Sequence, residues 1–184
     1  INSAMVSVKT FPECSPYLVK IERSLREEMK WKQNPALHTA KEPFATFVHT
    51  DFWANNMMFK LENESENEQE LPNFGIPSDM KIVDFQVTLY SSPVRDLIFF
   101  IYSSAADGVI ENHYDELINI YHDEFIDCLN DVGCDTDPFS FNNFQTELEE
   151  FAPLEFPHIL YMHKFISAAK GKVPDLTNLA LIPI

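Results

Sequence analysis

Glycine is scarce in this chain, with four residues among 184: Gly75, Gly108, Gly133 and Gly171. No two of them lie close enough to form the glycine-rich loop that covers nucleotide phosphates in many kinases, and no Walker motif is present. The sequence therefore predicts no phosphate-gripping loop within these residues.

Basic residues are also few. Lys and Arg total 13 against 29 Asp and Glu, which gives a formal net charge of −16. Such a balance disfavours nucleic acid and anionic membrane surfaces as partners, because both attract basic patches. The negative charge would suit a bound metal cation, although a solvated acidic surface explains the charge more simply.

Cysteines and long apolar runs are limited as well. The three cysteines are odd in number and lack zinc-site spacing, so free thiols in a reducing, cytoplasmic compartment are the simplest interpretation. No apolar run has the length of a membrane helix, and no signal peptide is visible at the start. Because the chain does not begin with Met, we expect an interior piece of a longer protein.

The residues that are abundant predict one α+β domain over residues 1–184, mostly helical with a small β element. Hydrophobic residues make up 45%, and 16 Phe can fill a core. Ser15-Pro16 and Ser92-Pro93 are typical helix starts, and Pro153 and Pro157 should interrupt the helical pattern. Strands are expected at 44–48, 57–61 and 80–83, and further helices at 111–131 and 158–170. Residues 62–73 form an acidic insert that we expect to be exposed and poorly ordered.

The polar residues of interest follow the short strands. His49, Asp51 and Asn56 come after the first strand, and Asp84 ends the third. Phosphoryl transfer needs a carboxylate to accept the proton of the attacking hydroxyl, and hard oxygen ligands for magnesium. Asp and Asn five residues apart on one loop, with a second Asp from a neighbouring strand, can supply both. Protein kinases use the same logic.

The full strings are more specific than this spacing. Residues 49–59 read His-Thr-Asp-Phe-Trp-Ala-Asn-Asn-Met-Met-Phe, and residues 83–86 read Val-Asp-Phe-Gln, followed by Ser-Pro-x-x-Asp-Leu at 92–97. The His-x-Asp loop resembles that of aminoglycoside and choline kinases. The longer strings resemble the ecdysteroid kinase-like (CHK kinase-like) family of insects and nematodes, strongly over residues 44–104 and more loosely outside them.

The resemblance implies a protein kinase-like C-terminal lobe that uses ATP and Mg²⁺ to phosphorylate a hydroxyl of a small molecule. It implies Asp51 as the catalytic base, His49 as a support beneath the loop, and Asn56 and Asp84 as magnesium and cofactor ligands. Asp96 would tie the loop backbone to the following helix. The family usually has Gly at the position of Thr50, and a β-branched residue would be strained there if positive φ is required.

The resemblance also implies an N-terminal lobe that these residues do not contain. The 48 residues before His49 read mainly as coil and one helix, without a strand lysine. We therefore expect the chain alone to be inactive without that lobe in cis. A truncated, non-catalytic pseudokinase or binding module is the alternative. A third interpretation, an unrelated acidic helical domain, requires the two Asp motifs to meet by chance.

Overall fold

The computed structural model describes residues 5–6, 8–33, 41–60, 77–106 and 108–166, which are mostly helical with a small β element. This agrees with the predicted α+β class. The α-helices are α1 (Leu18–Gln33), α2 (Val94–Ser104), α3 (Val109–Asp131) and α4 (Phe141–Ile166). The strands are β1 (Thr46–Val48), β2 (Met57–Lys60), β3 (Asp79–Ile82) and β4 (Leu89–Ser91). Within these ranges no helix has both the length and the apolar character that a membrane crossing requires.

Two antiparallel strand pairs determine where the polar loops lie. β1 pairs with β4, placing Thr46 opposite Ser91, and β2 pairs with β3, placing Met57 opposite Ile82. The loop of residues 49–56 joins β1 to β2, and the loop of residues 83–88 joins β3 to β4. The strands before the first loop and after the second loop pair with each other, and so do the strands after the first loop and before the second. The two loops therefore lie side by side.

Helix α2 forms the centre of the hydrophobic core. Its apolar residues recur at helical spacing, and Val94, Ile98 and Phe99 are almost completely buried. They pack against α4, and Phe44, Ile118 and Phe144 belong to the same cluster. Burial of a side chain of this kind contributes about 1.5–3 kcal/mol, so the packing fixes α2 firmly beneath the two loops.

The predicted break at Pro153 and Pro157 is wrong. Helix α4 continues from Phe141 to Ile166 through both prolines. Pro157 has no N–H to donate to the carbonyl of Pro153, four residues earlier. The Ser24 hydroxyl of α1 donates a hydrogen bond to that carbonyl instead. A contact between helices thus replaces the bond that the second proline removes.

Other boundaries differ by a few residues. Ser15-Pro16 lies inside a 3₁₀ helix, Pro12–Tyr17, and α1 begins only at Leu18. Phe44, expected in the first strand, is a core residue before it. Helix α3 extends over the predicted residues 111–131 and begins two residues earlier. The three thiols are unpaired. The insert at 62–73 and the end of the predicted last helix lie outside the described residues.

Candidate active site

The backbone of the loop after β1 is held by the first turn of α2. The Asp96 carboxylate accepts hydrogen bonds from the N–H groups of His49, at 2.6 Å, and Thr50, at 2.7 Å. Burial raises the pKa of this carboxyl, and the two backbone donors oppose that rise. Hydrogen bonds to a charged group contribute about 1.5–3 kcal/mol, so Asp96 is a strong anchor. The predicted tie between loop and helix is present.

Thr50 adopts a left-handed backbone, with φ of 63°. A β-branched residue is unusual in this region because its Cβ crowds the following carbonyl. Two contacts hold it there: Asp96 binds its N–H, and its hydroxyl donates to the Val87 carbonyl at 2.6 Å. The position where the family usually has Gly therefore has positive φ in this chain, and the threonine side chain bonds the neighbouring loop.

His49 connects the two loops from beneath. Its side chain is buried, with Nε2 at 2.9 Å from the Val83 carbonyl oxygen and Nδ1 accepting the Asp51 N–H at 3.3 Å. This pair of bonds fits the neutral tautomer with its proton on Nε2. Its ring also contacts Phe85, with ring centroids 5.0 Å apart. With both nitrogens engaged, His49 has the geometry of a structural support.

Asp51 and Asn56 are in direct contact. The Asn56 amide nitrogen donates to the Asp51 carboxylate at 2.9 Å and to the Asp51 carbonyl at 2.8 Å. A short 3₁₀ turn, Ala54–Asn56, carries the chain back so that these residues meet. Both bonds use the amide nitrogen of Asn56, which leaves its amide oxygen available to a hard cation.

Asp84 is placed beside this pair by backbone pairing. The Val83 N–H donates to the Asn56 carbonyl at 2.9 Å, and Asp84 follows with φ of 67°. Convergence of its carboxylate with those of Asp51 and Asn56 on one cavity stays a prediction. In the described ranges no three His, Cys, Asp or Glu side chains are grouped to hold a metal. The proposed magnesium ligands are instead one carboxylate and one amide, to which phosphate oxygens would add.

A buried ionic cluster behind α2 was not predicted. Arg95 forms an ion pair with Glu155 of α4, and His158 bonds the same carboxylate at 3.1 Å. Glu155 is 2% exposed, and although burial opposes ionisation, its two basic partners hold its pKa below the usual value. No sequence signal identifies this pairing, because 60 residues separate Arg95 from Glu155. It connects α4 to the residue next to Asp96.

A model of the ecdysteroid kinase-like family matches residues 1–134, well over half of the chain. The chain belongs to the ecdysteroid kinase-like family. The matched span contains both loops and the first turn of α2. Membership indicates a kinase-like phosphotransferase, a class that generally uses ATP and Mg²⁺. No curated protein and no solved structure matches the chain.

Proposed function

We propose that this chain is the C-terminal, catalytic lobe of an ATP-dependent phosphotransferase that acts on a hydroxyl of a small molecule. The observation that carries the proposal is the contact of Asp51 with Asn56 on a loop whose backbone Asp96 holds. Such a loop presents a carboxylate and an amide oxygen in fixed relation, which phosphoryl transfer requires because it depends mainly on positioning and electrostatics. An ecdysteroid-like alcohol is the substrate that the family name suggests.

In this proposal Asp51 accepts the proton of the attacking hydroxyl. One of its carboxylate oxygens is oriented by the Asn56 amide, which leaves the other free to face the acceptor. Asp51 follows two residues of restricted conformation, the buried His49 and the left-handed Thr50, so its carboxylate has little freedom to turn away. A general base of this kind contributes about 10²–10⁴-fold to the rate.

The residues fit a magnesium site of the kinase type. The Asn56 amide oxygen and the Asp84 carboxylate are hard oxygen donors. One backbone hydrogen bond, from Val83 to Asn56, joins the two loops that carry them. Mg²⁺ with ATP would supply the phosphoryl group and charge neutralisation of its oxygens. The chain's own part is to orient Asp51, to present these two oxygens, and to hold the two loops together through His49.

The four glycines lie too far apart to form a phosphate-covering loop, and the 48 residues before His49 read mainly as coil and one helix, without a strand lysine, so we propose that an N-terminal lobe completes the nucleotide site. The 184-residue chain alone should show no clear thermal shift with roughly millimolar Mg-ATP, because without that lobe we expect a Kd near or above this concentration, and the stabilisation RT ln(1 + [L]/Kd) is then small. A robust magnesium-dependent shift, or phosphorylation of any small alcohol by these residues alone, would refute this requirement.

The assignment of roles is tested in a protein that joins this chain to such a lobe. Asp51→Asn should reduce turnover by roughly 10²–10⁴-fold and leave nucleotide affinity nearly unchanged, because the base acts on the acceptor. Asp84→Asn should weaken magnesium-dependent nucleotide binding, because it removes a charged ligand. Equal effects of both changes on binding and turnover would show that the roles are misassigned. Nucleotide binding without any turnover would favour the pseudokinase alternative.

A further inference from the structure

A cavity of about 700 Å³ lies behind the catalytic loop, between the two loops and helices α2 and α3. Its volume falls within the range of roughly 300–1,000 Å³ that is typical of small-molecule sites. Asp51, Asn56 and Asp84 are not among its lining residues, whereas their neighbours His49, Phe52 and Phe85 are. The cavity is therefore separate from the proposed phosphoryl-transfer site, although it shares the same two loops.

The cavity walls are mainly apolar and include six Phe and Tyr rings. The rings that line it come from β1, both loops, α2 and α3: Phe47, Phe52, Phe85, Phe100, Tyr121 and Phe125. Neighbouring rings are in contact, for example Phe52 with Phe100 at a centroid distance of 5.5 Å. Aromatic faces carry a negative quadrupole potential, and several of them around one space attract a cation as well as an apolar group.

The charged residues of the lining are acidic. Asp96 and Glu124 contribute carboxylates, and within the described residues neither Lys nor Arg lines the cavity. Burial raises the pKa of Tyr121 to about 12, and the charge of Asp96 adds to that rise. An anionic ligand such as a phosphate would find no counter-charge here. A small hydrated metal ion would gain little from the apolar walls.

We propose that this cavity binds a lipophilic organic cation, an ammonium group carried on one or two apolar rings. The rings of such a ligand replace water on the aromatic walls, and its ammonium group lies towards Asp96 and Glu124. The occupant would contact His49, Phe52 and Phe85 from behind, and because Asp51 does not line the cavity, it would be a bound ligand and not the phosphoryl acceptor. The proposal is independent of whether the chain transfers phosphate.

The test compares two probes of equal shape, 4-(trimethylammonio)phenol and its neutral isostere 4-tert-butylphenol, by titration calorimetry at a pH where both phenols are protonated. The ammonium probe should bind roughly tenfold more tightly than the neutral one, because cation–π and carboxylate attraction add to the same apolar contact. Equal affinity of the two probes, or binding of neither, overturns the proposal.

Two adjacent acidic residues of α3 provide a matched control. Glu124 lines the cavity, and Asp123 does not. Glu124→Gln should lower the affinity for the ammonium probe roughly threefold and leave the neutral probe unchanged, because one carboxylate at the cavity is lost. Asp123→Asn removes the same charge from the protein and should have no effect beyond twofold. Equal losses in both variants would show only general attraction to an acidic protein, and would overturn the site.

Two substitutions of opposite charge at Ile120 locate the site, and the protein should fold with either of them. This residue lines the cavity and is 52% exposed, so polar replacements are tolerated on the surface of α3. Ile120→Lys should abolish the preference for the ammonium probe, and Ile120→Glu should increase it. Because both replacements remove the same apolar contact, their difference reports charge alone. No difference between them overturns the proposal.

Discussion

Replacing Thr50 by glycine tests the left-handed backbone of the catalytic loop. Thr50 has φ of 63°, and its hydroxyl donates a hydrogen bond to the Val87 carbonyl. Glycine accepts this conformation without a steric penalty but loses the hydroxyl, whereas alanine loses the hydroxyl and keeps a Cβ. The comparison of Thr50→Gly with Thr50→Ala therefore separates the strain from the hydrogen bond.

The expected magnitudes follow from three contributions. A left-handed conformation costs a residue with a Cβ roughly 1–2 kcal/mol. The hydroxyl bond contributes about 0.5–1.5 kcal/mol, and glycine loses about 0.5–1 kcal/mol through the greater freedom of the unfolded chain. For Thr50→Gly these contributions nearly cancel. Thr50→Ala should lower the free energy of unfolding by about 1 kcal/mol, because it loses the bond and retains strain.

Thr146 in α4 is the matched control. Its hydroxyl also donates to a backbone carbonyl, that of Asn142 at 3.1 Å, but it lies in an α-helix. There alanine should be more stable than glycine by about 1 kcal/mol. Urea denaturation of the four variants gives the two differences. If glycine is also less stable than alanine at position 50, the loop is not left-handed at Thr50 and the reasoning is refuted.

Three further changes test contacts on which the fold depends. Glu147→Gln should stabilise the protein increasingly as pH rises above 4.5, because burial raises the pKa of this carboxyl and no described residue hydrogen-bonds one of its oxygens; denaturation at several pH values measures the effect, with the exposed Glu149→Gln as the control. Ser24→Ala should cost about 1–2 kcal/mol in urea denaturation, because it leaves the Pro153 carbonyl without its donor, and an unchanged midpoint would contradict this. Asp96→Asn should cost about 2–3 kcal/mol and speed amide exchange in the loop that Asp96 holds, and slow exchange there would show that another group anchors the loop.

The elements that local sequence predicted well depend on short-range information. Helix α3 shows apolar residues at helical spacing and ends before a glycine with positive φ, Gly133, so its extent was predicted to within two residues. Asp51 and Asn56 are five residues apart on one loop, and their contact follows from that short connection. The tie through Asp96 was expected from the family resemblance, which carried information that spacing alone does not contain.

Other features were decided only by tertiary contacts. β4 is three residues long, too short for an alternating pattern to identify, and it exists because β1 pairs with it. The aromatic cavity likewise takes its walls from segments far apart in the chain, so no local pattern predicts it.

The continuity of α4 shows why tertiary contacts decided such features. Each proline in its sequence locally disfavours a helix, and a prediction from the local sequence therefore ends the helix there. The compensation comes from Ser24, which is 129 residues away from Pro153 in sequence. The buried Glu155 is stable as an ion because Arg95 of α2 meets it across the core, in addition to its neighbour His158 on α4. Sequence determined the local preferences and the order of the catalytic residues. The tertiary structure decided which local costs were offset, because the groups that offset them are brought close only when the core packs.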